Sequence, residues 1–209
     1  FAGVYRSTNS GTSFSNQSTT PNILGYSPTG ADNNNQAWYD LAIAVSPTDA
    51  NIVHCGGVNH WRSSDGGQTW VLETGWSVGQ ASGNGVAYTH ADIHDLVYWG
   101  NTLYSGNDGG VHRSTDGGVT WNTTGLQWTA QENYRISKLL MDPTNSSILL
   151  AATDGGVFKT TDGGATWIEP YDIVDFKDMK FKPGNPNVVY AAGTEFWKST
   201  DKGDTWSQV

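Results

Sequence analysis

The eight residues from Ser114 to Trp121 read S-T-D-G-G-V-T-W, and this pattern returns along the whole chain. Close copies are S-S-D-G-G-Q-T-W at 63–70, T-T-D-G-G-A-T-W at 160–167 and S-T-D-K-G-D-T-W at 199–206, while S-T-N-S-G-T-S-F at 7–14 is a degenerate copy. The Asp or Asn positions recur after 56, 51, 46 and 39 residues. Periods of this size are typical of β-propeller blades rather than of helical solenoids.

The residue types of the repeat predict a tight turn between two strands. Gly accepts positive φ, the Asp carboxylate and the Ser/Thr hydroxyls can bind nearby backbone N–H groups, and the final Trp begins the next strand with a large apolar surface. Because all four close copies carry the same residues, we assign them a structural role rather than a catalytic one. These structural residues are Asp65, Trp70, Asp116, Trp121, Asp162, Trp167, Asp201 and Trp206.

The pattern S/T-x-D-x-G-x-T-W resembles the Asp-box, or BNR repeat, of sialidases, sortilin and family 74 glycoside hydrolases. In those families the box lies on the hairpin between the third and fourth strands of a propeller blade, away from the ligand site. The stretches W-Y-D-L-A-I-A-V-S-P at 38–47, H-A-D-I-H-D-L at 90–96 and Y-S-G-N-D-G-G-V at 104–111 resemble secreted Bacteroidetes propeller proteins exported by the type IX system. The resemblance implies an all-β propeller of four-stranded antiparallel blades and a bacterial extracellular location.

Composition favours the same fold and excludes some partners. The 209 residues include 26 Gly and 10 Trp with only 15% charged residues, which suits one β-rich domain with an aromatic core. A net charge of −9 without a basic stripe argues against nucleic acid, and no apolar run is long enough for membrane insertion. The single cysteine, Cys55, excludes an intramolecular disulfide.

Turn signals divide the chain into one half blade and four blades of a single propeller domain. The predicted pieces are a half blade with the last two strands at 1–17, a long connection at 18–38, a blade at 39–73, a loop and blade at 74–123, and blades at 124–169 and 170–209. Four and a half blades do not close a ring, so we expect the chain to be a piece of a larger ring. Further blades of the same polypeptide or a partner chain would complete it.

The positions of the arginines in the sequence argue against a sialidase activity. That activity needs three arginines converging on the substrate carboxylate. Arg6, Arg62 and Arg113 occupy the same position before successive boxes, where Lys159 and Lys198 follow, so only Arg135 lies outside the repeat.

One acidic and histidine-rich segment, His90-Ala91-Asp92-Ile93-His94-Asp95, has no counterpart in the other blades. In an extended strand His90, Asp92 and His94 would point to one side, and together they could bind a divalent metal. The alternative is that these side chains only fix a loop by hydrogen bonds. Asp40, at the start of the preceding blade, is the candidate to join the cluster, and Asp40, Asp92 and Asp95 are the candidate catalytic acids.

Aromatic residues in the connections between blades form the second candidate site. Trp38, Trp76 and Trp128 lie outside the repeated positions, and flat indoles with neighbouring phenols and amides suit stacking on sugar rings. The predicted binding residues are Trp38, Tyr39, Trp76, Trp128 and Tyr134, with Gln131 and Asn133 as amide partners. The alternative is that each Trp pins its own loop to its blade.

Two classes of function follow from the sequence. The first is a secreted or cell-surface binding or scaffold module that takes a glycan or protein ligand on its loop face, without enzymatic activity. The second is a glycoside hydrolase of the family 74, xyloglucanase-like type, which uses paired carboxylates on a β-glucan. The first is favoured because no motif singles out a carboxylate pair, and no cofactor other than a divalent metal is indicated.

Overall fold

The computed structural model describes residues 1–128, 134–172 and 175–209. The predicted amide partners Gln131 and Asn133 lie outside the described residues. The described part is built from strands with one short helix, which confirms the all-β prediction. Within these ranges no helix has the length and apolar character that a membrane crossing requires.

The first two sheets contain strands β1 to β7. The first sheet is an antiparallel pair, β1 (Val4–Arg6) with β2 (Ser15–Ser18). The second sheet has five strands in chain order, namely β3 (Ala42–Val45), β4 (Val53–Gly56), β5 (His60–Ser63), β6 (Val71–Gly75) and β7 (Ala87–Tyr88).

Between β6 and β7 the chain forms a helix where the sequence predicted a loop. This helix, α1 (Val78–Asn84), begins after Ser77, whose hydroxyl accepts from the backbone N–H of Gln80, and ends at Gly85 with a left-handed φ of 67°. Strand β7 then pairs in parallel with β6. Capping by Ser and Gly therefore builds a helical crossover that lets a fifth strand join the sheet.

The remaining three sheets each have four strands that are neighbours in chain order. The third sheet contains β8 (Ile93–Trp99), β9 (Thr102–Asn107), β10 (Gly110–Ser114) and β11 (Asn122–Gln127). The fourth contains β12 (Ile136–Met141), β13 (Leu149–Thr153), β14 (Val157–Thr160) and β15 (Ile168–Tyr171). The fifth contains β16 (Phe176–Lys182), β17 (Asn185–Gly193), β18 (Phe196–Ser199) and β19 (Ser207–Gln208). Repeated four-stranded meanders of this kind are propeller blades, as predicted.

The recurring eight-residue segments, here called repeat turns, join the third and fourth strands of their sheets. In the copy at 63–70 the Ser63 hydroxyl donates to Asp65 at 2.8 Å and accepts from the Gly67 N–H at 2.8 Å. Asp65 in turn accepts from the Thr69 N–H at 2.9 Å and from the Thr69 hydroxyl at 2.6 Å. These bonds from Thr69 lower the pKa of Asp65 to about 2.

The other repeat turns use the same bonds. The hydroxyl-to-carboxylate bond recurs from Ser114 to Asp116, from Thr160 to Asp162 and from Ser199 to Asp201. In the degenerate copy the Asn9 amide oxygen takes the place of the carboxylate and accepts from the Ser13 N–H at 2.9 Å. Each turn is thus a closed hydrogen-bond network that occupies the Asp oxygens with backbone and hydroxyl donors.

Two compact units are distinguished, one of residues 1–103 and 114–121, the other of residues 104–113 and 122–209. In the first unit β8 packs on the second sheet, where Ile93 and Leu96 meet Ala42 and Ala44. A Cβ added at Gly56 would lie 2.5 Å from Cγ2 of Ile93, so this glycine leaves room for the packing.

The second unit repeats this arrangement with its own residues. Phe176 and Met179 of β16 pack against Leu150 and Ala152 of β13 in one buried cluster. Gly106 takes the role of Gly56, since a Cβ there would lie 2.5 Å from Cγ2 of Ile136. In both units a small residue on the second strand of one blade receives large residues from the first strand of the next.

Candidate functional site

Asp40 lies in a position that the other blades fill with an apolar residue. It precedes Pro47 by seven residues, as Ile136 precedes Pro143 and Phe176 precedes Pro183. Ile136 and Phe176 are fully buried, and Asp40 is equally inaccessible, with 1% of its surface exposed. Neither of its carboxylate oxygens has a hydrogen-bond partner among the described residues. The fold therefore buries an ionisable group where it needs only an apolar one.

The surroundings of Asp40 favour its protonated form. The pKa of Asp40 is raised to about 7, first by burial and second by the nearby Asp92 carboxylate, while His94 and Gln36 oppose the rise. Desolvation and like charge both penalise the carboxylate, which is the usual origin of a carboxyl group that titrates near neutrality. Asp92 and His94, which the sequence predicted to join Asp40, are thus close enough to change its pKa.

Asp92 is held by a turn and not by a strand. Its φ of 63° lies in the left-handed region, and β8 begins only at Ile93. The Asp92 carboxylate accepts a hydrogen bond from Nε2 of Gln36 at 2.7 Å. Gln36 belongs to the long connection before β3, so this bond joins two loops that are distant in sequence.

The turn at Asp92 corrects the predicted alternation of His90, Asp92 and His94. A left-handed residue interrupts the extended backbone, so the period of two that would align the three side chains does not apply. The His90 ring lies 3.2 Å from the Ala91 carbonyl oxygen, and the His94 ring packs edge-on against Tyr39 with centroids 4.9 Å apart. In the described ranges no three His, Cys, Asp or Glu side chains are arranged to hold a metal ion.

A pocket of about 280 Å³ opens beside this cluster. We call it the Trp76 pocket, and its walls are Tyr26, Gln36, Val58, Trp76, Ala91 and Asp92. The side chain of Trp76 is 42% exposed. Polar neighbours fix the walls, because Gln80 of α1 donates to the Tyr26 carbonyl at 3.0 Å and accepts from the Trp76 N–H at 3.1 Å. The pocket thus combines aromatic surface with one amide–carboxylate pair.

Trp38 is the most exposed of the predicted aromatic residues. With 83% of its surface accessible, its indole contacts Tyr39 at a centroid distance of 5.7 Å. Tyr39 in turn contacts His94, so Trp38 is connected by ring contacts to the Asp40 cluster. Trp38 itself is not a wall of the Trp76 pocket.

Trp128 and Tyr134 belong to the second unit and pack against each other. Their ring centroids are 5.3 Å apart, and Trp128 also lies 5.2 Å from the ring of Phe158. Tyr134 covers the backbone of Gly155. Both rings thus pack against Phe158 of β14 in the fourth sheet as well as against each other.

Asp95 is a buried residue of β8 and is not a wall of the Trp76 pocket. Conversely, Tyr26, Gln36 and Val58 are walls of the pocket although no sequence motif predicts them as site residues. Tyr26 and Gln36 lie in the connection at 18–38, which is rich in Asn, Thr and Gly and carries no repeated pattern. No sequence signal distinguishes them from other loop residues, because their role depends on where the loop folds.

Comparison with solved structures shows the same fold in larger proteins. An ancestral GH74 enzyme superposes with a TM-score of 0.65 at 19% identity, over 80% of this chain and 23% of that chain. A GH74 xyloglucanase from Xanthomonas campestris gives 0.60 at 15% identity, over 82% and 30%. The extracellular domain of a hybrid two-component system from B. thetaiotaomicron gives 0.64 at 12% identity, over 81% and 22%.

The chain therefore spans less than a third of the length of these structures, and at such low identity the likeness concerns the fold alone. A search of the curated proteins found no match to the chain. Residues 34–181, which include β3 to β15 and the Trp76 pocket residues other than Tyr26, match a described family. The chain belongs to the family of the DUF6242 beta propeller domain.

Proposed function

We propose that this chain is a binding module of a secreted or cell-surface protein, with a glycan or protein ligand held at the Trp76 pocket on the loop face. The main support for this proposal is the pocket, whose walls include the partly exposed Trp76 and the hydrogen-bonded side chains of Gln36 and Asp92. An apolar wall with a few polar groups is the usual composition of a ligand site.

The chemistry of the pocket suits a sugar ring or a similarly flat ligand group. The faces of Trp76 and Tyr26 offer stacking surfaces, while the Gln36 amide and the Asp92 carboxylate supply a donor and an acceptor for hydroxyl groups. A volume of about 280 Å³ is at the small end for ligand sites, so the pocket would take one terminal unit of a longer chain. Trp38, which is exposed but is not a wall of the pocket, is proposed as a second aromatic contact for a longer ligand.

The proposed location rests on likeness in sequence and fold. The segments at 38–47, 90–96 and 104–111 resemble type IX-exported propeller proteins, and the sequence of the repeat turns resembles the Asp-box. One structure of the same fold is an extracellular domain, which supports a location outside the cell.

Calorimetric titration with xyloglucan oligosaccharides, other β-glucan oligosaccharides and extended peptides tests the proposed binding. For the ligand class that binds, we expect Trp76→Ala to weaken affinity by about tenfold or more, as loss of a stacking residue does. Phe196→Ala is the matched control, because Phe196 is 46% exposed but belongs to the fifth sheet in the other unit. Equal losses in the two variants, or no binding by any class, would refute the proposal.

A second function, hydrolysis of a β-glucan, is favoured by one observation. Burial raises the pKa of Asp40 to about 7 next to the Asp92 carboxylate, and a carboxyl group that keeps its proton near neutral pH is what a glycosidase requires for its general acid. Reducing-sugar release from xyloglucan, lost in Asp40→Asn while oligosaccharide binding is retained, would establish this activity. Binding without any release of reducing sugar would leave the module as a non-enzymatic one.

A further inference from the structure

One apolar face of the first unit is open although the same face is covered elsewhere in the chain. It is formed by Ile43 and Val45 of β3 and is here called the β3 outer face. Ala42 and Ala44 point the other way, into the cluster with β8. Ile43 and Val45 alternate with them and are exposed. A strand with apolar residues on both faces is typical of a sheet that is covered on both sides.

Internal comparison shows how unusual this exposure is. Ile43 precedes Pro47 by four residues, as Leu139 precedes Pro143 and Met179 precedes Pro183. Strand pairing confirms the equivalence, because Ile43 lies opposite Cys55, Leu139 opposite Ala151 and Met179 opposite Ala191. Ile43 is 61% exposed, whereas Leu139 and Met179 are each 1% exposed.

The first sheet lies beside this open face and supplies only part of a blade. Arg6 donates to the Asn51 side chain at 3.2 Å, and the Ser18 hydroxyl donates to the Gly67 carbonyl at 2.7 Å, so β1 and β2 are already docked on the second sheet. Within the described residues β1 pairs with β2 alone. The equivalent strand β14 pairs on both sides, with β13 and with β15.

A groove of about 290 Å³ continues this established interface. Its walls come from both sheets and include Val4, Tyr5 and Arg6 of β1 together with Ile43, Val45 and Val53. The groove therefore lies between the free edge of β1 and the β3 outer face. In the fourth sheet the corresponding place, beside β14, is filled by strands β13 and β12.

We propose that the β3 outer face and the free edge of β1 dock a two-stranded antiparallel β-hairpin from another part of the same polypeptide. The structures of this fold named above are several times longer than the region they share with the chain, so such proteins carry further strands. The proposal concerns an interaction surface and is independent of the ligand at the Trp76 pocket.

The structure specifies the chemistry of the hairpin. Its second strand pairs with β1 in the register of β13 with β14, where Ala152 lies opposite Val157 and Ala151 opposite Phe158. The hairpin residue at the position equivalent to Ala152 must be small. In the second and third sheets this position is Gly56 and Gly106, and the first strand of the next blade packs directly on it. Its first strand is apolar on the side that covers Ile43.

The chain itself provides a probe with these properties. Three residues separate β13 from β14, and three residues, Phe1 to Gly3, precede β1. A copy of residues 134–153 fused directly before Phe1 therefore reproduces the loop length as well as the hairpin. Thiol labelling of Ile43→Cys in a Cys55→Ala background reports on the β3 outer face, since Cys55 lies opposite position 43 and would otherwise place a second thiol beside the label site.

We expect the fused hairpin to slow maleimide labelling at position 43 by about tenfold or more. The same fusion with Ala152→Arg in the added copy should label as fast as the unfused chain, because the large side chain cannot enter the small-residue place. Val71→Cys, at an exposed position of β6 that is not a wall of the groove, should label at one rate in all three proteins.

If the fused chain does not fold, the synthetic peptide 134–153 added to the unfused Ile43→Cys chain takes its place, and saturable slowing of labelling is the expected result. Unchanged labelling at position 43 with both the fused and the added hairpin would overturn the proposal. Equal slowing at positions 43 and 71 would overturn it as well, because the effect would then not be confined to the β3 outer face.

Discussion

Asp40 shows how a single residue departs from the repeat. Ile136 and Phe176 occupy the same position with apolar side chains, and burial of a carboxyl group there has a cost that the fold does not need to bear. The pKa of about 7 means that folded Asp40 keeps its proton to a much higher pH than the unfolded chain does. Residues that reduce stability without a structural benefit are characteristic of functional sites.

We predict that Asp40→Asn raises the free energy of unfolding at pH 8 by on the order of 2 kcal/mol and has little effect at pH 4. The sign follows from linkage. Because the folded-state pKa of Asp40 is raised, the contribution of this residue to stability falls from about pH 4 upward until the pH passes about 7. Denaturant unfolding at both pH values measures the difference. Asp49→Asn, at an exposed turn, is the control, and an equal effect at the two pH values would contradict the assignment.

At the scale of elements, the packing of one blade on the next depends on a small residue in the second strand. Gly56 and Gly106 receive Ile93 and Ile136, and Ala152 belongs to the cluster of Phe176 and Met179. The sequence alone does not reveal this role, because a glycine within a strand can equally mark a bulge.

We predict that Gly56→Ala destabilises the chain by about 1–3 kcal/mol, since the added Cβ would lie 2.5 Å from Ile93 and overpack the core. Gly79→Ala is the matched substitution in α1, where nothing lies within 4 Å of the added Cβ. It should stabilise the chain by roughly 0.5–1 kcal/mol through helix propensity. Thermal unfolding compares the two, and a neutral or stabilising Gly56→Ala would show that the interface can adjust.

The stability of the whole molecule has a second titration that opposes that of Asp40. His54 and His60 are buried in the second sheet, with their ring nitrogens 3.1 Å apart, and His54 also lies 2.9 Å from the Tyr98 hydroxyl. Burial, followed by the charge of Arg62, lowers the pKa of His54 to about 4. Burial, followed by the charge that His54 carries when it is protonated, lowers the pKa of His60 well below its usual value.

We therefore predict that the contribution of His54 and His60 to stability is lost as the pH falls from about 6.5 to about 4, because the histidines bind protons in the unfolded chain at a pH where the folded ones stay neutral. His54→Gln should reduce this loss between pH 6.5 and pH 4 even if it lowers stability at pH 7. Guanidinium unfolding across this range gives the slope. The same slope in the natural chain and the variant would contradict the prediction.

The turns of the blades could be predicted from the sequence, whereas the geometry of the candidate site could not, and the reason is physical. The repeat turns closed as expected because their hydrogen bonds join residues two to four positions apart, such as Ser63 with Asp65 and Gly67. The alternation of His90, Asp92 and His94 was wrong because one left-handed residue, Asp92, ends the extended backbone. Helix α1 and strand β7 were missed because a seven-residue helix has too weak a pattern to separate it from a loop.

The sequence by itself determined the β-propeller blades, since the same local turn chemistry returns five times and each copy specifies a hairpin. Only the tertiary structure decided that Asp40 is buried beside Asp92, that Gln36 binds Asp92 across 56 residues of sequence, and that Trp76 lines a pocket while Trp128 packs on Phe158. These features depend on where long, unrepeated loops come to lie, and that placement results from packing between segments distant in sequence rather than from any local pattern.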